Sequence, residues 1–575
     1  MDRSPVDVVV ALDESWAVTV NATSGTISLV DLSSTGNENG RRLLDEQPVG
    51  ELPSAAALLP DGKHVLVSAA RSKRVTLFEV ADGRLKLVAT IEVGYEPRGI
   101  AVSPDGHTAF VALTAEDKVA VVDLVERKKT GEIAVGRWPR YLCLSPNGDR
   151  LAVACSGGGG IWMVDTGERK VLFSKTFDGL NIGHMTLSAD GRAVCFPWTF
   201  YGERETSPGS IRLGWVMASR LGTVSFDEQT EPSGLSLDPR RDAVADVHGF
   251  ALSADGKRAV VAAGGTHELL VLRASDLPWI GIGGSEHMDR ELAADRDRFA
   301  RIPLGGRPMG VRFSRDATKV YAANYLRNSV QIVDLDTSKV TTEIALGGSP
   351  EPQTAERRGF ALFHDANRCL ENWYSCHTCH FDGGPNAETI DTFNDGSSGT
   401  YKSVPSLCNV ADTGPWTWHG SRDDLPESIA NSFVTTMRGS KPTDEETANV
   451  IAYLNTLRPM PNPHRSADGK LSEAARRGEA VFHSAKAGCA NCHSGPLTTD
   501  GEIHDVGLGR KSDRYRGFNT PSLVDVQRRI RLLHDGRVRT LEKLLTGPHD
   551  PAKVTGEGEL SATEREDLIA YLLTL

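Results

Sequence analysis

No apolar run in these 575 residues approaches the roughly 18 positions that a membrane-spanning helix needs, so nothing in the chain reads as a transmembrane segment. The opening, MDRSPVDVVVALDESW, lacks a charged region followed by an apolar core and a small-residue cleavage site, so no secretion signal is visible. Lys and Arg are neither in excess nor clustered. The formal net charge of −12 argues against general affinity for nucleic acid, which needs concentrated positive charge. No Ser-His-Asp elbow and no phosphate-cradling glycine loop stands out, which leaves a hydrolase or lyase reading without support. What is plentiful is turn-forming residues, 57 Gly and 29 Pro, in a chain long enough for several cores.

The turns recur. GYEPRGIAVSPDG (94–106) and GRWPRYLCLSPNG (136–148) share a glycine, a proline, an apolar alternation and a closing turn. Related turns fall at Leu59-Pro60-Asp61-Gly62, Ser188-Ala189-Asp190-Gly191, Ser253-Ala254-Asp255-Gly256 and Ser314-Arg315-Asp316-Ala317, with a worn version near Asp13, giving seven units. Each unit reads as four strands of period 2, as GIAVS, TAFVAL, KVAVVDL and GEIAVG do in one of them. Units of this length with four strands each predict a seven-bladed β-propeller, which resembles the YVTN-type propellers. Two long insertions, TFYGERETSPGSIRLGWVMASRLG and DLPWIGIGGSEHMDRELAADRDRF, are expected to be loops that build a site or a docking surface. His184 and His248 replace the usual blade-start pattern and are expected where the innermost strand enters the central channel, as candidates for a metal or a substrate hydrogen bond; His267 has the same standing.

After ALGGSPEPQT the period-2 pattern stops and a second repeat begins. ERRGFALFHDA (356–366) matches ARRGEAVFHSA (475–485), VPSLCNV (404–410) matches TPSLVDV (520–526), and VIAYLNTL (450–457) matches LIAYLLTL (568–575). The expected organisation is an all-β propeller over 1–350, then a mainly α module of two cytochrome c-like units, 351–465 and 466–575. The closing helix of each unit should carry a capping box, Thr443 with Glu446 and Ser561 with Glu564.

Each unit holds one C-x-x-C-H: Cys376, Cys379 and His380, then Cys489, Cys492 and His493. That spacing lets two thiols reach two vinyl groups on one porphyrin edge while the adjacent His lies beneath the ring, so two covalently bound c-type haems are expected, with iron on His380 and His493. Zinc on Cys376, His377, Cys379 and His380 is the structural alternative, but the second copy has Ala490 and Asn491 between its cysteines. A disulfide across each pair would leave the following His unexplained. Cys143, Cys155 and Cys195 lie in predicted strands as core residues, while Cys369 and Cys408 offer a disulfide. A second axial ligand is sought among His419 and Met437 in the first unit and His504, His534 and His549 in the second. Met437 and His549 fall at equivalent late places and are the favoured ligands; His419 and His534 are also equivalent.

FNTPSLVDV (518–526) and LLHDGRVRTLEKLL (532–545), with the paired C-x-x-C-H motifs, resemble the bacterial di-haem cytochrome c peroxidase and MauG superfamily. The resemblance implies that one haem receives electrons, that the other reacts with hydrogen peroxide, and that a tryptophan between them passes charge. GPWTWHGSRDDLPESI (414–429) supplies Trp416 and Trp418 as relay candidates, Glu427 as a distal acid, and His419, which with His534 completes the catalytic candidates. SFVTTMRG (432–439), where the family keeps a distal glutamate, has no carboxylate, and Met437 there would cap the iron. The sequence does not fix a calcium site. The expected function is a haem-dependent, peroxidase-like oxidoreductase with a small cytochrome or cupredoxin as electron partner and a small-molecule or protein substrate at the propeller. The alternative is an electron carrier whose propeller only docks a partner. Because c-type haem is attached outside the cytoplasm, the expected location is periplasmic or extracellular.

Overall fold

The structure, a computed structural model, describes residues 1–32, 42–466 and 468–575. Among the described residues, thirty strands between Pro5 and Ala345 make seven sheets, of which six are four-stranded antiparallel blades, five of them built from consecutive strands. The fifth has six strands. There the first insertion adds a short helix, Pro208–Arg212, and the second lends the strand Ile280–Gly281 to Ser233–Ser236 of the neighbouring blade. The second insertion therefore stitches the fifth and sixth blades together.

The repeated turn has a local cause. In the third blade the Ser103 hydroxyl donates to Asp105 and accepts from the Thr108 amide at 2.9 Å, while Gly106 sits at φ 75°. Ala317 holds the equivalent left-handed position in the last blade at φ 57°. Among the described residues no strand is exchanged to close the ring. Instead Asn328 of the seventh blade accepts from the Arg3 and Ser4 amides at 2.9 and 3.0 Å, and Arg357 of the following domain donates to Ser4 Oγ at 2.6 Å.

Beyond Ala345 the chain is mainly helical, with four two-residue strands among the described residues, and the two units share one packing device. Helix Ala355–Phe363 lies on Asp444–Leu454, and Glu473–Phe482 lies on Ala562–Leu572. A Cβ on Gly359 would come within 1.8 Å of Asn449 O, and one on Gly478 within 1.8 Å of Asp567 O, so the glycine of each R-R-G lets two helix backbones touch. Both expected capping boxes form. Among the described residues no helix is long and apolar enough to cross a membrane.

The helical part sits on the mouth of the propeller channel. Asp246, at the start of a sixth-blade strand, accepts from Ser375 Oγ and Thr378 Oγ1, both at 2.7 Å, and lies 3.5 Å from both Arg307 Nη1 and His377 Nδ1. Asp382 reaches Arg98 at 3.0 Å and Arg140 at 3.2 Å from the third and fourth blades. Fully buried Glu96 pairs with Arg98 at 2.9 Å and with Arg528 of the second unit. Burial pushes the Glu96 carboxyl up, but the Arg528 and Arg98 guanidinium groups outweigh it and hold it down at about 2.

Candidate haem sites

Cys376–Cys379 is a single helical turn capped by Ser375, whose amide in return donates to Thr378 Oγ1 at 2.9 Å. This turn presents Cys376, Cys379 and His380 to a cavity of about 350 Å³, which Tyr374, Trp416, Trp418, Phe433 and Met437 also line. Met437 Sδ is 3.8 Å from Cys376 Sγ, and its backbone oxygen accepts from the Leu370 amide at 2.9 Å. It is aimed there by a π-helical turn, Ser432–Thr436, after the helix Leu425–Asn431, a local rewinding frequent at functional sites. The Tyr374 hydroxyl fixes that turn by donating to Thr436 O at 2.7 Å.

The histidines that follow the cysteines are in the state a metal ligand requires. His380 Nδ1 lies 3.2 Å from Pro405 O, and His493 Nδ1 lies 3.2 Å from Thr498 O. A backbone carbonyl can only accept, so the proton is on Nδ1 and the Nε2 lone pair is left free. Burial pushes both imidazoles down to about 4, which keeps them neutral near pH 7. An apolar cavity, two thiols on one turn and a neutral imidazole with a free nitrogen fit a thioether-attached haem at the first motif. At the second motif, His549 acts with burial to lower the His493 imidazole, and the buried Nδ1 of His549 has no hydrogen-bond partner.

Several expected residues stand elsewhere. Glu427, proposed as the distal acid, is exposed on the first turn of its helix and paired with Arg422 at 3.1 Å. Asp424 caps that turn by accepting from the Glu427 amide at 2.8 Å, which directs the Glu427 side chain to solvent. The carboxylates that do line the cavity are Asp391 and Asp395. His504 is held by Asp500 at 2.8 Å; with Cys492 the two form the one group of three metal-type donors within 4.8 Å among the described residues. Cys369 and Cys408 are both free: the former is buried among Trp373, Tyr374 and Phe433, and the latter lines the cavity. Within the channel, His248 Nε2 lies 2.9 Å from the Tyr141 hydroxyl and its ring 5.0 Å from that of His184. His267 Nε2 pairs with Asp365 across the domain boundary at 3.2 Å.

His419 and His534 do not face the cavity. They meet at the seam between the units, their rings 6.3 Å apart with Phe518 against both. Trp416 and Trp418 do line the cavity, donating from Nε1 to Val410 O and Ser403 O, each at 2.8 Å. The Trp418 carbonyl accepts from the Asn519 amide of the second unit at 3.0 Å. Asn394, which accepts from Thr436 Oγ1 at 3.1 Å, and Lys402 also line the cavity; the first lies in an irregular segment and the second in a two-residue strand, where no motif marks them.

Residues 8–134 match the family described as "Lactonase, 7-bladed beta-propeller". The chain is 26% identical over 279 residues to hydrazine synthase subunit gamma of Kuenenia stuttgartiensis, covering 40% of this chain and 79% of that protein. It is 28% identical over 280 residues to the methylamine utilization protein MauG of Methylorubrum extorquens, covering 39% of this chain and 79% of that protein. To cytochrome-c peroxidase IdrP1 of Denitromonas iodatirespirans it is 29% identical over 154 residues, 18% of this chain and 41% of that protein. Among solved structures, a chain of Kuenenia stuttgartiensis hydrazine synthase aligns with a TM-score of 0.50 at 23% identity over 58% of this chain and 96% of that one, a likeness of fold. The protein is thus a seven-bladed propeller carrying a helical module similar to MauG and the cytochrome c peroxidases.

Proposed function

We propose that the chain is a di-haem c-type oxidoreductase, extracytoplasmic in location, that reduces peroxide or oxidises a substrate with electrons exchanged through a small redox protein. The two units, 351–465 and 466–575, would each hold one haem: the first on Cys376, Cys379 and His380, the second on Cys489, Cys492 and His493. The observation that carries this reading is the cavity that joins Cys376, Cys379 and His380 to Trp418, whose carbonyl is bonded to the second unit. The likeness to MauG and to a cytochrome-c peroxidase supports it.

When bound, the haems supply one-electron transfer and, at an open iron face, the activation of peroxide. The chain's residues do the rest. Pro405 O and Thr498 O orient the two ligating imidazoles. Trp416 and Trp418 stand on the cavity wall toward the second unit as the charge relay. His549 is the sixth-position candidate at the second motif, and Met437 is the candidate at the first. The test is turnover of hydrogen peroxide by the haem-loaded chain with a reduced cytochrome or cupredoxin. A specific observation favours the second reading, an electron carrier: Met437 shares the cavity with His380, where a thioether would close the iron face. Negligible turnover together with rapid electron exchange would establish that reading instead.

A further inference from the structure

The seam between the units holds ionisable groups that the haem sites leave unused. Lys402 lines the first cavity, and its Nζ lies 2.6 Å from Asp513 Oδ1. Asp513 Oδ2 lies 3.3 Å from His534 Nε2, and Oδ1 lies 3.8 Å from His419 Nε2. The side chains of Asp513, His534 and His419 are 4, 2 and 0% exposed, and neither histidine Nε2 has a hydrogen-bond partner. Behind them, His534 Nε2 is 4.0 Å from Asp535, which pairs with Arg510 and, at 3.0 Å, with Arg537 on the surface. The groups therefore run in series from solvent through Asp535, His534 and Asp513 to Lys402 and the cavity.

We propose that this series is the proton entry to the first cavity, with Lys402 as the last donor. The inference rests on the peroxide-reducing reading with the first iron open, Met437 standing off it: each hydrogen peroxide converted to two waters takes up two electrons and two protons, and Lys402 on the cavity wall ends a route by which those protons arrive. Lys402 gives a proton to a peroxide oxygen. It regains one across Asp513 from His534 Nε2, which is recharged from solvent at Asp535. Burial pushes the His534 imidazole down; Asp535 and Asp513 oppose that push, and Lys402 and Arg537 add to it. For Asp513, burial pushes the carboxyl up, while Lys402, the Arg510 amide and His534 outweigh it and keep it ionised.

The experiment compares haem-loaded wild type with Lys402→Met, Lys402→Ala and Asp513→Asn at matched haem content. The expected loss of peroxide turnover in Lys402→Met is on the order of 10²-fold, the usual scale for general acid catalysis, with partial rescue of Lys402→Ala by added methylammonium. Independently of activity, the ¹⁵N-histidine NMR titration of His534 should move to higher pH in Lys402→Met, because a neighbouring positive charge has been removed. Wild-type turnover that Lys402→Met and Asp513→Asn leave unchanged would overturn the proton entry while the peroxidase reading stands. Absence of turnover in the wild type would overturn both.

Discussion

The Asp246 carboxylate of the sixth blade accepts a 2.7 Å hydrogen bond from Thr378, a residue enclosed between the two cysteines of the first C-x-x-C-H. The propeller therefore holds the first C-x-x-C-H turn directly. Asp246→Ala would leave the buried Arg307 guanidinium without its counter-charge and the Ser375 and Thr378 hydroxyls without their acceptor. A loss of roughly 3–5 kcal/mol is expected for breaking a buried pair on one side. Denaturant unfolding of the haem-loaded protein checks it, and Asp246→Asn should recover part of the loss by keeping a hydrogen-bond acceptor.

The paired glycines give a second expectation. Gly359→Ala and Gly478→Ala each drive a methyl group into a facing helix backbone, and a cost of about 1–3 kcal/mol is expected for each. Gly558→Ala, where a Cβ meets nothing within 4 Å, changes no packing contact and serves as the packing control, although its φ of 96° carries a backbone cost of its own. Thermal melts of the three variants separate these effects.

Stability should fall as the solution is made acidic. Burial pushes the channel imidazole of His184 down to about 3, with Arg312 acting in the same direction, and burial lowers His248 as well. The unfolded chain takes up these protons near pH 6.5, whereas the folded chain does not. Each histidine therefore removes roughly 1.4 kcal/mol per pH unit as the pH falls from about 6.5 toward its folded value. Asp382, whose carboxyl burial pushes up but Arg98 and Arg140 hold far below the usual range, adds a further loss below about pH 4. Denaturant midpoints at stepped pH test this, and His184→Gln should flatten the upper part of the slope.

Ligand identity predicts inequivalent irons. With Met437 and His549 as ligands, the first haem has His/Met coordination and the higher potential, and the second has His/His coordination. Met437→Ala should abolish the long-wavelength sulfur-to-iron charge-transfer band and lower one midpoint potential. His549→Ala should leave that band intact and open the second iron to cyanide. Absence of the band from the wild type would make the first haem the open one.

The blades, the doubled helical unit and both C-x-x-C-H motifs were legible because each repeats, and a repeated pattern is read against its own copy. Glu427 misled for a local reason: a carboxylate three residues beyond Asp424 belongs to a helix start, and the cap turns it outward. Asp391, Asn394 and Lys402 reach the cavity from irregular or two-residue strand segments, whose direction is set by contacts distant in sequence, as when the Ser403 amide donates to His534 O at 2.7 Å. The union of His419 and His534 at the seam was half legible, since the repeat makes them equivalent while their meeting depends on how the units dock.

The most direct test of the account is the haem stoichiometry of the protein matured in a host that attaches c-type haem, measured by pyridine haemochrome after acid extraction. Two haems per chain should resist extraction, falling to one in Cys376→Ala/Cys379→Ala and to one in Cys489→Ala/Cys492→Ala. Colourless protein with zinc bound at the cysteines, or haem that extracts freely, would contradict it.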